Sequence, residues 1–166
     1  GQKLSGIVMT GDQAIGFAKV TLYEAGRRAN GKWVRSLGWT QANAAGKFTV
    51  RYHKPRRKNA VLYLIADGTH RHARQSWYKG HRSWRSPVRL ATVIGRKPFP
   101  TRIVINERTT VATAYAMAQF IRGRRIGGPY PGMPNAADTV RNIVNIETGE
   151  IGKTLGSEPN GSETTA

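Results

Sequence analysis

The chain has 166 residues, about one domain's worth, and a domain of that size hides roughly 70% of the surface it exposes when unfolded. It has no Cys, which excludes disulfides, thiolate metal sites, Cys nucleophiles and covalent haem attachment together. No apolar run approaches the ~18 residues of a spanning helix, and the formal net charge is +18.

That charge is local. Between Arg27 and Arg102 stand 19 Lys or Arg and one acid, Asp67, whereas the 8 bases and 8 acids elsewhere cancel. All four His and all four Trp share the basic stretch. A concentrated excess points to a face that meets a polyanion. The chain begins at Gly1 rather than Met and shows no charged and apolar leader, so any secretory signal is expected to have gone already.

In chain order, Leu4 to Met9 is a short apolar strand. Lys19 to Tyr23 alternates, which turns Val20 and Leu22 inward and Lys19, Thr21 and Tyr23 outward. Lys47 to Tyr52 alternates too, with Phe48, Val50 and Tyr52 inward. Val61 to Ala66 is continuously apolar, as in a strand covered on both faces. Arg102 to Asn106 supplies another strand. Turn signals at Gly11, Gly26, Gly31, Gly46 and Gly68 separate them, and short strands so spaced favour a β-sandwich.

After Asn106 the texture becomes helical. Glu107 to Ile121 is Ala-rich, with Val111, Tyr115, Ala118 and Ile121 near helical spacing and Asn106 or Thr109 as cap. A Gly/Pro loop follows from Gly127 to Pro134. Asn135 is expected to cap a second helix from Ala136 to about Val144, with Asp138 at its third position. Val111, Tyr115, Val140 and Val144 then need a sheet to lie on. The tail from Glu147 is polar.

Gly6, Val8, Gly16, Val20, Leu22, Thr40, Ala42, Gly46, Phe48, Leu62, Ala66 and Gly68 follow the pattern G-x-V, G-x-x-V-x-L, T-x-A-x-G-x-F, L-x-x-A-x-G. Residues 3–68 thereby resemble the carboxypeptidase-regulatory-like, or transthyretin-like, β-sandwich modules. The remainder looks like an extension that follows such a module in secreted bacterial proteins. The resemblance implies a mainly β, transthyretin-like (Ig-like) sandwich with two short helices in a C-terminal extension. It also implies a secreted, periplasmic or cell-surface setting and a non-catalytic role as stalk, adhesion or carbohydrate-related module. The departure from the pattern lies at about 69–101, where a long basic aromatic insertion replaces a short connection. The expected organisation is therefore a sandwich over 1–106, with 107–166 packed on the same core.

Within the insertion, Arg71, Arg74, Lys79, Arg82, Arg85 and Arg89 interleave with Trp77, Tyr78 and Trp84. Cations can neutralise phosphate, sulfate or carboxylate, while Trp and Tyr faces stack on bases or sugar rings. The same residue types supply hot spots between subunits, and they also occur on solvated loops. All three readings stay open at this point.

Other chemistry finds less footing. His70 and His72 would share a strand face, yet closed metal sites need three or four ligands and Arg71 and Arg74 repel a cation. No Gly-x-Ser-x-Gly, His-Glu-x-x-His or phosphate-loop motif occurs. A Lys–Asn cross-link from Lys3 or Lys19 to Asn106 beside Glu107 has the residue types but no surrounding motif. Glu107 fits better as a helix-start residue or an ion-pair partner.

The sequence thus leads to a non-enzymatic secreted or surface module that self-associates as a homo-oligomer or filament. Exposed sheet edges would serve that assembly. The alternative is a binding module for acidic polysaccharide, lipopolysaccharide or nucleic acid. No cofactor and no metal is implied.

Overall fold

The computed structural model describes residues 2–73 and 83–152, and it is mainly β. The strands of the first two-thirds are β1 (Gln2–Thr10), β2 (Gln13–Ala14), β3 (Lys19–Glu24), β4 (Arg35–Gln41), β5 (Lys47–Tyr52), β6 (Leu62–Ala73), β7 (Ser83–Gly95) and β8 (Arg102–Ile105). They form two four-stranded sheets. In one, β1 is central: it pairs antiparallel with β5 and, near its end, with β2, and parallel with β8. The other runs β4-β3-β6-β7, all antiparallel.

Inward residues of both sheets meet in a single core. Leu4, Val8, Phe48, Val50, Ile103 and Ile105 pack with Val20, Leu22, Leu64, Ala66 and Leu90. β5 alternates as its sequence predicts, and every residue from Ala60 to Ala66 is buried. Gly6 sits where three strands converge, because a Cβ there would lie 2.1 Å from the Ile103 carbonyl oxygen. Only a residue without a side chain allows the parallel strand that approach.

The structure corrects several sequence expectations. Thr21 is buried and Tyr23 half-buried rather than outward, since a C-terminal segment lies over that part of the sheet. The stretch read as an insertion is strand over all its described residues up to Gly95. β6 and β7 pair from Leu62 opposite Gly95 out to Ala73 opposite Ser83. Pro87 lacks an N–H, and β7 accommodates it as an edge strand.

The extension begins with α1 (Glu107–Ala116). Asn106 caps it reciprocally: its Oδ1 accepts the Thr109 N–H at 2.9 Å, and its own N–H donates to Thr109 Oγ1 at 3.0 Å. The helix stops five residues before Ile121. It also buries a different face from the one expected: Thr109, Ala112 and Thr113 are inside, whereas Val111 and Tyr115 are 66% and 77% exposed. The reason is polar. The inward threonines satisfy the outer edge of β7, where the Ala91 N–H donates to Thr110 Oγ1 (2.8 Å) and the Val93 N–H to Thr113 Oγ1 (3.0 Å). Thr109 returns a hydrogen bond to the Ala91 carbonyl at 2.9 Å. A sheet edge is covered by hydroxyls instead of apolar contact.

Two short ribbons and a second helix complete the fold: β9 (Ile121–Arg122), β10 (Arg125–Ile126), α2 (Gly132–Ile143), β11 (Val144–Asn145) and β12 (Glu150–Ile151). α2 starts four residues before the predicted Ala136, with Pro131 rather than Asn135 at its N-cap. Pro134 is tolerated because a first-turn N–H has no intrahelical partner to lose. Asp138 is consequently well inside the helix, where it pairs with Arg96. Met117, Met133, Ala137, Val140, Val144 and Ile146 join the core of the sheets. Among the described residues no helix is long and apolar enough to cross a membrane.

Candidate functional site

β6 and β7 decide where the basic residues stand. Register places Gln41, Lys19, Asp67 and Arg89 side by side across the four strands. One step along, Trp39 lies opposite Thr21, and further out Arg71 lies opposite Arg85. Residues two apart on a strand share a face, so Arg85 and Arg89 look out on the same side as Asp67, Lys19 and Trp39. Trp39 is 63% exposed, and the Lys19 ammonium sits 5.0 Å from its ring centroid. A cation and an apolar ring are therefore presented together on an open sheet face.

Arg89 is not a bare charge. Its Nε donates to Asp67 Oδ1 at 2.9 Å, and Arg124 donates to the other carboxylate oxygen at 2.6 Å. Burial pushes the Asp67 carboxyl up, but the two guanidiniums outweigh it and hold the carboxyl below the usual carboxylate range. One carboxylate between two guanidiniums leaves one net positive charge.

Sequence reasoning did not single out Lys19 or Trp39 for this face, and it missed Arg124. Arg124 comes from the turn between β9 and β10, also donates to the Tyr23 hydroxyl at 3.0 Å, and brings the extension onto the basic face. Tyr23 stacks on Tyr63, with ring centroids 5.0 Å apart. The Tyr63 hydroxyl donates to the Arg124 carbonyl at 2.9 Å and accepts the Ile126 N–H at 3.2 Å. Burial raises the Tyr63 pKa, so this phenol stays neutral and able to donate. The only signal was the basic run Arg122-Gly-Arg124-Arg125, and its distance from Asp67 in sequence concealed the contact.

Of the residues singled out from sequence, Arg85 and Arg89 share this face. Arg71 and Trp84 occupy β6 and β7, opposite Arg85 and His72 respectively. Arg74, Trp77, Tyr78, Lys79 and Arg82 lie outside the described residues. His70 meets Gln13 Oε1 at 3.0 Å, and among the described residues no group of three or more His, Cys, Asp or Glu is placed to hold a metal ion. The residue types for a Lys–Asn cross-link are otherwise engaged: the Asn106 amide donates to the Gly149 carbonyl, and Glu107 accepts from the Thr10 hydroxyl and the Gly11 N–H.

A second basic cluster, not foreseen from sequence, lies at the opposite end of the β4-β3-β6-β7 sheet. Glu24, Trp33 and the four arginines Arg27, Arg35, Arg56 and Arg57 line a pocket of about 210 Å³. Glu24 pairs with Leu62, so along β6 roughly 17 Å separates the pocket from the Lys19, Asp67 and Arg89 row and roughly 30 Å from the Arg85 row, and Glu24 lies on the opposite face of β3 from Lys19. These are two sites. Gly26, between the lining residues Ala25 and Arg27, lets the loop that carries Trp33 pack against it, because a Cβ there would fall 2.0 Å from the Lys32 carbonyl oxygen. The loop so tightened holds Trp33 at φ 71°, a left-handed backbone that a bulky residue rarely adopts, and leaves its side chain 69% exposed.

No family model matches the chain, and no curated protein sequence does. Among solved structures, a 9R-lipoxygenase from Cyanothece PCC8801 is similar at TM-score 0.34 and 15% identity, over 63% of this chain and 15% of that one. A likeness that slight carries no argument about fold or activity.

Proposed function

We propose that the chain is a non-enzymatic binding module that holds an acidic polymer, such as a polysaccharide, lipopolysaccharide or nucleic acid, on the outer face of its β4-β3-β6-β7 sheet. The observation that carries this reading is one shared face: Arg85, Arg89, Lys19 and the exposed Trp39 stand together, with Arg124 added from the extension. Cations there meet acid groups while the Trp39 ring takes an apolar or π face. Two four-stranded sheets around one core are compatible with a transthyretin-like module, and a secreted or surface setting is part of the same proposal.

The test is retention on heparin and on double-stranded DNA as salt is varied. Each phosphate contact contributes about −0.9 to the log–log slope on duplex DNA. Lys19→Ala and Arg85→Ala should each make the slope shallower by about one, whereas Trp39→Ala should weaken binding with little change in slope. Failure of both polymers to bind at low salt refutes the reading.

Self-association is the second reading, favoured by β7 as an edge strand whose hydrogen-bonded cover from α1 reaches Ala91 and Val93. The rest of that edge suits strand addition by a second copy. Light scattering at low and high salt decides it, since a single species of 18.3 kDa under all conditions excludes assembly.

A further inference from the structure

We infer that the pocket at the Glu24 end is a separate site for one acidic sugar unit, meaning a single hydroxylated ring bearing a carboxylate. Three features converge. Four arginines line the pocket, a residue type suited to paired hydrogen bonding with a carboxylate. Arg27 is fixed in place, its guanidinium 4.3 Å from the ring centroid of Tyr130, whose hydroxyl donates to the Asn59 carbonyl. The floor holds Glu24, which is 5% exposed, and its Oε1 accepts the Arg56 N–H at 3.2 Å. Among the described residues no arginine closes an ion pair on it.

A buried carboxylate with capacity left over accepts further hydrogen bonds, which a bare anion such as sulfate cannot donate. The ligand must therefore carry both a negative group for the arginines and donors for Glu24. Ring hydroxyls next to a carboxylate meet both needs, and the exposed Trp33 at the mouth covers the apolar face of such a ring. Size narrows the class further. At about 210 Å³ the pocket is smaller than the roughly 300–1,000 Å³ that encloses drug-sized molecules, so it takes one ring rather than a base, ribose and phosphate together.

The probe is glucuronate, followed by calorimetry and Trp fluorescence on the whole chain. Glucuronate should bind saturably, while glucose and acetate at matched ionic strength should not. Arg57→Ala and Glu24→Gln should each weaken binding about tenfold or more, and Trp33→Phe should remove most of the fluorescence change. Arg57 is exposed, so its variant stays informative even if the Glu24 variant fails to fold. Equal binding of acetate or sulfate would reduce the pocket to a charged patch. Tighter binding of guanosine monophosphate would make it a nucleotide site, and no binding of glucuronate overturns the inference. Double-stranded DNA carries no uronate and so reads the outer face alone, while glucuronate reads this pocket, so the two readings fail independently.

Discussion

Asp67 and Arg124, 57 positions apart, form a 2.6 Å ion pair that ties the outer face of one sheet to the C-terminal extension. Both side chains are about one-third exposed, which sets the scale of the bond. A pair so placed is worth less than a buried one, and the hydrogen bond to Tyr23 adds to it.

Arg124→Ala should therefore cost about 1 kcal/mol in a denaturant titration, equivalent to a fall in Tm of ~2–4 °C. The same substitution leaves Asp67 to Arg89 alone and removes the one net positive charge of the trio, so retention on double-stranded DNA should weaken by about one contact. A loss above ~3 kcal/mol would mean that the whole ribbon over Tyr23 and Tyr63 detaches.

Acid should weaken the same junction. The Asp67 carboxyl is held below its unfolded value of about 3.9, so its stabilisation is present above that pH and is lost as pH falls through the folded value. Asp67→Asn should flatten the stability profile below about pH 4 relative to the parent chain. An unchanged acid limb would assign it to other carboxylates, Glu107 first, since the hydrogen bonds from Thr10 and Gly11 outweigh burial and lower its pKa too.

The threonine seam makes a sharper prediction. Thr113→Val keeps the shape but leaves the buried Val93 N–H without its partner, at a cost of about 1–3 kcal/mol. Thr113→Ser should recover most of that loss. Amide exchange at Val93 should accelerate in the Val variant and return toward the parent rate in the Ser variant.

Gly26→Ala should disturb the arginine pocket while sparing the outer face. The added Cβ would meet the Lys32 carbonyl oxygen, so the loop carrying Trp33 must shift. Trp emission should move and glucuronate binding should fall, with retention on double-stranded DNA little altered. An unchanged emission spectrum would show that the loop yields without moving Trp33.

What could be read directly from the residues was whatever burial enforces. β5 alternates because one face meets the core, and β6 is continuously apolar through Ala66 because both faces are covered. β7 was hidden by composition: Arg85 to Leu90 does alternate between exposed and more covered positions, but its arginines, serines and Pro87 read as a connection rather than a strand. α1 misled for a related reason, since its inward face serves a sheet edge with hydroxyls and leaves Val111 and Tyr115 outside. In the site, Arg85 and Arg89 were legible from local charge. Arg124 and the arginine pocket were not, because each depends on segments that only folding brings together.

The parallel pairing of β8 with β1 also sets an order of events. Ser5 finds Arg102 as its neighbour, so the central strand of its sheet is synthesised first and completed last. At about 5–20 residues per second, that flank of β1 waits roughly 5–20 s for its partner during translation. Until then β1 has β5 alone to hold it among the long strands, and its open flank is available to any other extended chain nearby. During synthesis the sheet around β1 can be completed only once Arg102 to Ile105 has emerged.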